Sequence, residues 1–444
     1  MKKLFVIAFA ALLPVAFADD VNTQILKQLD LLQKQVAQQQ AEIQALKTQL
    51  NQTATPAAVS QMIDQAIEQQ AVAEVKDTGL LTLGQDISNL KLTGDLLMRY
   101  QRMVLDREIA FGDTKIEDDR FSTRFRLGLV WTNDSESWEV GAGLITGNAL
   151  NAAGINPVDH NDVWNNAAPF ETGDIRLDYA YAKHTWDCVS ATVGQQINPF
   201  KDLGILWDTD VRLTGATLAY DGGPLFGTIG AYDVFYPNAF GKDNDLGDHA
   251  AMYAAQLGAK MEQEDLNASI AAAIYWFNEQ SRDLAVNRGG LNLDTDYDYQ
   301  VASLLGDINA TFGDVDAGLY GQVWKNFGAE GNPGQSQAGG LVDPEDNDLG
   351  WMLGAKAGIG PFGLSYDYVR FEADSAPSLF KDGDFGAGCY GFFQDVDVKG
   401  HRIMATYNLT KNCWLGGSVL LYETIEAAND CEGEIYQLDL NYRF

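Results

Sequence analysis

Apolar and polar residues alternate strictly at the end of the chain. In EIYQLDLNYRF, residues 434–444, every second position from Tyr436 to Phe444 is aromatic or leucine, and the positions between them are polar. Alternation with a period of two is typical of a β-strand that has one apolar and one wet face. The same pattern occurs in LKLTGDLLMRYQ (90–101) and RFSTRFRLGLVW (120–131), and it continues beyond them. The region 90–444 is therefore predicted to be all β.

The connections between the predicted strands alternate in length. The pattern predicts sixteen strands; tight turns such as DGGP, GD and IGP follow the even ones, and long connections follow the odd ones: 103–119, 148–173, 198–210, 235–248, 278–296, 326–347, 372–396 and 423–433. Short turns at one end and long loops at the other are typical of barrels in outer membranes. Strands of about ten to thirteen residues, when tilted, match a bilayer. We therefore expect a closed antiparallel 16-stranded transmembrane β-barrel over 90–444.

Aromatic residues concentrate near the ends of the predicted strands. The sequence places two groups there, which we interpret as belts at the lipid headgroups. The members expected at the short-turn end are Trp131, Trp138, Trp414, Tyr442 and Phe444, and those at the long-loop end are Tyr100, Tyr253, Trp276, Trp351 and Tyr368.

The first 89 residues follow a different pattern. Residues 1–18 combine two lysines, a short apolar run and a small-residue cleavage site, which predicts a secretory signal peptide. Residues 19–75 contain a heptad-like series from Ile25 to Leu50, which predicts a periplasmic helical segment that self-associates as a coiled coil. The alternative is a helix that packs on its own barrel or is partly disordered. Residues 76–89 are expected to be a linker.

Composition excludes several classes of protein. A net charge of -32, with only 30 Lys and Arg residues, argues against nucleic acid as a partner. No Ser, His and acid arrangement predicts a hydrolase, so no enzymatic activity is expected. The acidic loop clusters lack the ligand spacing of a calcium loop, and we predict neither a metal nor a cofactor.

Charged residues on the polar side of the strands are predicted to line a water-filled lumen, because sixteen strands enclose more space than side chains fill. The predicted pore-lining residues are Lys91, Asp95, Arg99, Arg124, Arg126, Arg176, Asp178, Lys260, Lys356, Asp367 and Arg402. Two interpretations of the arginines on the first four strands stay open. They form a basic stripe that attracts anions, or they pair with acids such as Asp95 and Asp178 to satisfy a polar interior.

The third long loop, NPFKDLGILWDTDV, is the predicted constriction. It combines apolar residues with Asp202, Trp207, Asp208 and Asp210, and so apolar a segment is unfavourable in external water. Folding into the barrel would bury it, whereas a subunit contact is the alternative. Cys389 and Cys431 fall in the last two long loops, which are neighbours, so they are candidates for a disulfide, with free thiols as the alternative.

The chain resembles the Gram-negative "putative porin" family. The segments that carry the resemblance are LTGDLLMRYQ, RFSTRFRLGLVW, DIRLDYAYAKHTW, GQQINPFKDLGILWDTD, GPLFGTIGAYDV, DVKGHRIMATYNLTKNCWLGGSVLLYET and YQLDLNYRF. The resemblance implies a sixteen-stranded porin in the outer-membrane lipid, a homotrimer, with its amino-terminal helical segment in the periplasm. The final Phe444 resembles the signal that the barrel assembly machinery reads.

The sequence thus favours a passive diffusion channel for small hydrophilic solutes and ions. One alternative is an anion- or phosphate-selective channel. Such a channel would require a continuous series of Lys and Arg side chains along the lumen, with no acids between them. Another is a structural tether that links the outer membrane to the cell wall through the amino-terminal segment.

Overall fold

The computed structural model describes residues 89–109, 112–133, 135–147, 162–163, 173–235, 250–278, 299–331, 342–389, 396–426 and 430–444. The predicted signal peptide, the coiled-coil segment and all but the last residue of the predicted linker lie outside the described residues. Within the described part of the chain, no helix is long and apolar enough to cross a membrane.

Sixteen long strands make up the wall of the fold. They are β1 Leu90–Ile109, β2 Gly112–Thr132, β3 Trp138–Gly147, β4 Asp174–Trp186, β5 Val189–Ile197, β6 Arg212–Asp221, β7 Leu225–Phe235, β8 Ala250–Glu262, β9 Leu266–Phe277, β10 Gln300–Phe312, β11 Val315–Asn326, β12 Leu349–Ile359, β13 Phe362–Phe371, β14 Val398–Asn408, β15 Cys413–Thr424 and β16 Cys431–Arg443. A two-residue strand, Asp162–Val163, pairs with β2. The described residues also include two 3-10 turns, Pro344–Asp346 and Ser378–Phe380.

The sheet closes on itself. Each long strand runs antiparallel to its neighbours in the sequence, and β1 pairs with β16 from Asp95↔Arg443 to Arg107↔Cys431. Closure leaves neither the first nor the last strand as an open edge, which is the condition for a sheet to stand in hydrocarbon. The predicted closed 16-stranded antiparallel barrel is therefore confirmed.

The two faces of the wall differ in polarity. Large apolar side chains such as Leu257, Phe312 and Leu353 are 62–69% exposed on the outer face. The alternate positions point inward, where Gln322 and Tyr275 are almost completely buried. The period-two pattern of the sequence thus separates a surface suited to lipid from a packed and polar interior.

The first hairpin differs from the prediction. Residues 103–119 were expected to form a long loop, but β1 continues to Ile109 and β2 begins at Gly112. Cross-strand ion pairs explain the extension, because Arg102 contacts Glu117 at 2.7 Å and Asp119 at 3.1 Å. Opposite charges that face each other across a ladder stabilise strand pairing.

Short connections at the opposite end of the barrel are two-residue turns in several places. Gly313 lies between β10 and β11 with φ of 64°, and Gly360 lies between β12 and β13 with φ of 55°. Glycine adopts this left-handed conformation without the steric cost that a Cβ would impose.

One residue assigned to the aromatic belts has a different position. Trp414 is the cross-strand partner of Asn441, and the guanidinium of Arg443 lies 5.2 Å from its ring centroid. Since cross-strand partners share a face, Trp414 lies on the polar, inner side of the wall. The other aromatic side chains of that end, for example Trp138 and Tyr442, are exposed on the outer face.

Candidate functional site

Loop 3, residues 198–211, folds into the barrel. Its apolar residues Ile205, Leu206 and Trp207 are at most 4% exposed. A tight turn starts this segment, because the carboxylate of Asp202 accepts hydrogen bonds from the backbone N–H groups of Gly204 (2.7 Å) and Trp207 (3.3 Å). The turn of this segment is therefore held by hydrogen bonds within the loop itself.

The first half of loop 3 is fastened to β8–β11. The amide of Gln256 exchanges hydrogen bonds of 2.8 and 2.9 Å with the backbone of Lys201. The ammonium of Lys201 pairs with Asp307 at 2.5 Å, and Gln322 donates to Asp202 at 2.7 Å. These contacts hold the loop along one side of the inner wall.

The second half of loop 3 reaches the arginines of β2. The carboxylate of Asp210 accepts a hydrogen bond from Arg126 and lies 3.5 Å from Arg124. Asp210 is itself buried. An acid of the loop thus meets two of the predicted pore-lining bases, and charge-assisted contacts of this kind fix geometry strongly.

Acids of the wall alternate with the arginines. Arg124 lies 3.6 Å from Asp95, and Arg126 lies 3.9 Å from Asp178. Asp178 also pairs with Arg212 of β6 at 2.7 Å, a residue that was not among those predicted. Bases and acids are therefore intermixed on this part of the wall.

The other predicted pore-lining residues lie further around the same inner face. Arg402 pairs with Asp367 at 2.7 Å, and Lys260 pairs with Asp221 at 3.0 Å.

Arg176 faces inward on β4, opposite the buried Ile145. Lys91 and Lys356 are exposed near the strand ends that carry the short turns. Arg99 pairs with Asp439 at 2.9 Å, across the β1–β16 seam.

A second loop enters the barrel, and the sequence interpretation did not anticipate it. Loop 7, defined here as residues 372–389 between β13 and β14, buries Phe380, Lys381 and Phe385. Its Asp382 lies 3.5 Å from Arg402, and its Asp384 lies 3.0 Å from Arg99. The signal was present, since SLFKDGDF mixes apolar residues with aspartates as loop 3 does.

The two loops join each other inside the barrel. The N–H of Asp208 donates to the carbonyl of Phe380 (2.7 Å), and the N–H of Asp382 donates to the carbonyl of Ile205 (3.1 Å). The N–H of Gly383 donates to the Asp208 carboxylate at 3.1 Å. The rings of Trp207 and Phe380 stack with centroids 5.3 Å apart. We call this set of contacts the loop junction.

The acids of the two loops have perturbed pKa values. Burial, then the neighbouring carboxylates of Asp382 and Asp210, raise the pKa of Asp208 to about 8. Burial also raises the pKa of Asp202. For Asp384, burial acts upward, but the charge of Arg99 and a hydrogen bond from Gln437 outweigh it and lower the pKa. The charged form of Asp384 is therefore favoured, whereas the raised pKa of Asp208 favours its protonated form.

A disulfide fastens the far end of loop 7. Cys389 and Cys431 are bonded, with their Cα atoms 5.5 Å apart. The two other cysteines, Cys188 and Cys413, are free thiols. Loop 7 is thus covalently linked to the first residue of β16.

Metal-binding geometry is not found among the described residues, where no group of three or more His, Cys, Asp or Glu side chains could hold an ion.

A closed barrel of sixteen antiparallel strands, apolar outside and charged inside, with loops folded into it, defines a porin-type β-barrel. Residues 108–304 match the model of a family described as "Putative porin". The resemblance predicted from the sequence is confirmed over those residues, which carry β2 to β9 and loop 3. No curated protein matches the chain.

Several solved structures of outer-membrane proteins are similar to the chain at low sequence identity. The high-pH structure of Pseudomonas putida OprB has a TM-score of 0.52 and 11% identity, covering 81% of this chain and 95% of that chain. Salmonella typhi OmpF in complex with daunomycin has a TM-score of 0.47 and 12% identity, covering 80% and 97%. A Vibrio cholerae OmpT variant that lacks loop L8 has a TM-score of 0.45 and 11% identity, covering 80% and 100%. The similarity to OprB supports the barrel fold alone.

Proposed function

We propose that the protein is an outer-membrane porin that lets small hydrophilic solutes and ions diffuse passively. The observation that carries the proposal is that charged residues lie on the inner face of the barrel and apolar residues on its outer face. Paired acids and bases, such as Arg126 with Asp178 and Arg402 with Asp367, lie on the inner face of a closed barrel, whereas the outer face is apolar. A charged, water-compatible interior inside a lipid-compatible shell is what a diffusion channel requires.

The pore-lining residues predicted from the sequence would set the ion preference. The acids Asp95, Asp178 and Asp367 interrupt the arginines, which favours a channel of mixed selectivity over a dedicated anion or phosphate channel. Loop 3 would form the constriction, with Asp202, Trp207, Asp208 and Asp210 holding its shape.

Location and partners follow from the same proposal. The barrel would lie in the lipid of the Gram-negative outer membrane as a homotrimer, after insertion by the assembly machinery through a signal that includes Phe444. The amino-terminal segment would be a periplasmic coiled coil. Chemical cross-linking of the protein extracted in mild detergent tests the trimer, because a monomeric protein would yield a single uncross-linked band.

Planar-bilayer recording tests the channel function. The purified protein is expected to conduct, and the Arg124→Glu/Arg126→Glu variant is expected to shift the reversal potential toward cations in a salt gradient. The matched control is Arg102→Glu/Lys115→Glu, because it makes the same charge change on exposed positions of the β1–β2 hairpin. A protein that inserts but does not conduct would overturn the proposal, and an equal shift in the control would remove the role of the β2 arginines.

A further inference from the structure

We propose that loop 7 is a second constriction element of the pore and that Asp384 is its specificity-determining residue. The inference rests on the proposed porin function and adds to it a charge and a barrier that loop 3 does not supply. It places the decisive acid at the barrel seam, beside Arg99 of β1.

Loop 7 covers the part of the wall that loop 3 leaves free. Loop 3 contacts β8, β10 and β11 through Gln256, Asp307 and Gln322. Loop 7 contacts β14 through Arg402, and its Asp384 contacts β1 through Arg99. Because the loop junction joins them, the two loops form one continuous layer from β8 across the interior to the seam. A solute that passes along the seam would therefore meet the Asp384 side of loop 7.

Loop 7 is fastened firmly enough to act as a fixed wall. Arg107 donates to the carbonyl of Gly388 at 3.0 Å, and the hydroxyl of Tyr422 donates to the carbonyl of Ala387 at 2.7 Å. The buried ammonium of Lys381 bonds to carbonyls within the loop. The disulfide at Cys389 follows directly. A loop held by side chains from two strands and by a covalent bond keeps its acids at fixed positions.

Asp384 decides the local balance of charge. Its carboxylate accepts hydrogen bonds from Arg99 at 3.0 Å and Gln437 at 2.9 Å, and it lies within the field of Arg120. Together with Asp439, the partner of Arg99 across the seam, it balances two arginines with two acids. Removal of the Asp384 charge leaves one uncompensated positive charge beside the path, which attracts anions.

Single-channel recording of Asp384→Asn tests the inference. The amide keeps the shape of the side chain, so the barrel and the loop are expected to fold normally. In a salt gradient, the permeability ratio is expected to shift toward anions by a factor of about two to five, the effect of one unit charge acting at close range in water. The matched control is Asp119→Asn, which removes an acid that pairs with Arg102 of the same strand β1 on the exposed side of the hairpin.

A double variant tests whether the shift in reversal potential comes from the local charge balance. Arg99→Gln combined with Asp384→Asn restores the local balance, so the reversal potential is expected to return toward that of the wild type. Replacement of residues 378–388 by a short glycine-serine linker removes the barrier and is expected to raise the conductance of one channel by about twofold or more, since conductance follows the open cross-section.

The outcomes separate this inference from the function on which it rests. A wild-type protein that inserts without conducting refutes the porin function. A wild type that conducts, with Asp384→Asn unchanged in its reversal potential, refutes the role of Asp384 and leaves the porin function intact. Unchanged conductance after replacement of 378–388 refutes loop 7 as a constriction. If that replacement does not fold, the two point variants decide.

Discussion

Arg99 and Asp439 form a two-pronged ion pair with both N–O distances at 2.9 Å, and these residues face each other directly across the seam between β1 and β16. The pair therefore links the first strand of the barrel to its last. Both side chains are about 15% exposed, so neither charge is well solvated when its partner is lost.

Asp439→Asn is accordingly expected to destabilise the barrel by about 2–3 kcal/mol, because removal of one partner leaves the other charge partly buried. Thermal unfolding in detergent, followed by the mobility difference between folded and unfolded barrel, measures the effect. Asp119→Asn, which breaks a pair with Arg102 that is 39% and 48% exposed, should cost less than about 1 kcal/mol. Equal losses in the two variants would contradict a special role for the seam.

Phe380→Ala is expected to weaken the loop junction. The ring of Phe380 stacks on Trp207 and lies 6.2 Å from the centroid of Phe277, and loss of a buried aromatic ring costs about 3 kcal/mol where the site cannot collapse. Hydrogen exchange or limited proteolysis of loop 7 measures the release of the loop. Phe380→Leu keeps an apolar side chain and should retain most of the protection. Full protection in Phe380→Ala would show that the backbone hydrogen bonds suffice.

Reduction of the Cys389–Cys431 bond is expected to leave the barrel folded and to loosen loop 7. The sequence separation is 42 residues, and closing a loop of that size restricts the unfolded chain by about 4 kcal/mol. The Cys389→Ser/Cys431→Ser variant should therefore unfold at lower temperature, and loop 7 should exchange its amide hydrogens faster. Cys188→Ser/Cys413→Ser is the control, because those thiols are free. Equal exchange in both variants would argue against anchoring by the disulfide.

The loop junction is expected to weaken as the pH rises. The pKa of Asp208 is raised to about 8 in the docked state, against about 4 for an exposed aspartate. The docked state therefore binds the proton more tightly, so docking is strongest below pH about 4 and weakens up to pH about 8, by at most about 1.4 kcal/mol per pH unit. The groups that face Asp208 are Asp382, itself near Arg402, and Asp210, which is paired with Arg124 and Arg126.

Protease sensitivity of loop 7 at pH 5.5 and pH 8.5 measures this dependence, and a greater sensitivity is expected at the higher pH. Asp208→Asn removes the titrating group and should give the same sensitivity at both values. The pKa of Asp384 is lowered, so protonation of this carboxylate weakens the docking of loop 7. This effect is confined to pH values below about 4. A wild type that behaves like Asp208→Asn would refute the role of Asp208.

Much of the barrel could be predicted from the sequence, because one physical rule governs every strand. A side chain in a membrane strand faces lipid or the interior, so alternation alone located all sixteen strands to within a few residues, apart from the extended first hairpin and the earlier start of β16. That hairpin was missed because ion pairs such as Arg102 with Glu117 replace apolar alternation as the stabilising contact.

The alternation of inward-facing and outward-facing residues could not by itself predict the position of a β-bulge. The register between β3 and β4 shifts at Gly143/Leu144, where Leu144 pairs with Leu177 and Gly143 pairs with Tyr179. Asp178 is the extra residue, so Tyr179 and Tyr181 beyond it face the interior together with it, and Tyr181 donates to Glu139 at 2.7 Å. A bulge depends on how two strands meet in space, and neither strand shows it by itself.

Loop 7 was missed for a similar reason. The arrangement of apolar residues and aspartates that indicated an inward loop 3 also occurs around Phe380, but the partner of Phe380 is Trp207, some 170 residues away. Loop 7 is buried because loop 3 already offers it a surface. Contacts between two irregular segments follow no periodic rule, so only the structure brings them together.

Loop 3, loop 7 and the Cys389–Cys431 bond all lie where odd-numbered strands end, at one rim of the barrel. The molecule is therefore chemically unequal toward the two compartments that it separates. A bulky reductant or a protease placed on the long-loop side meets the fastening of both loops at once, while the same agent on the other side does not. An agent can therefore loosen the two loops from one side of the barrel only, although solutes would diffuse through the pore in both directions.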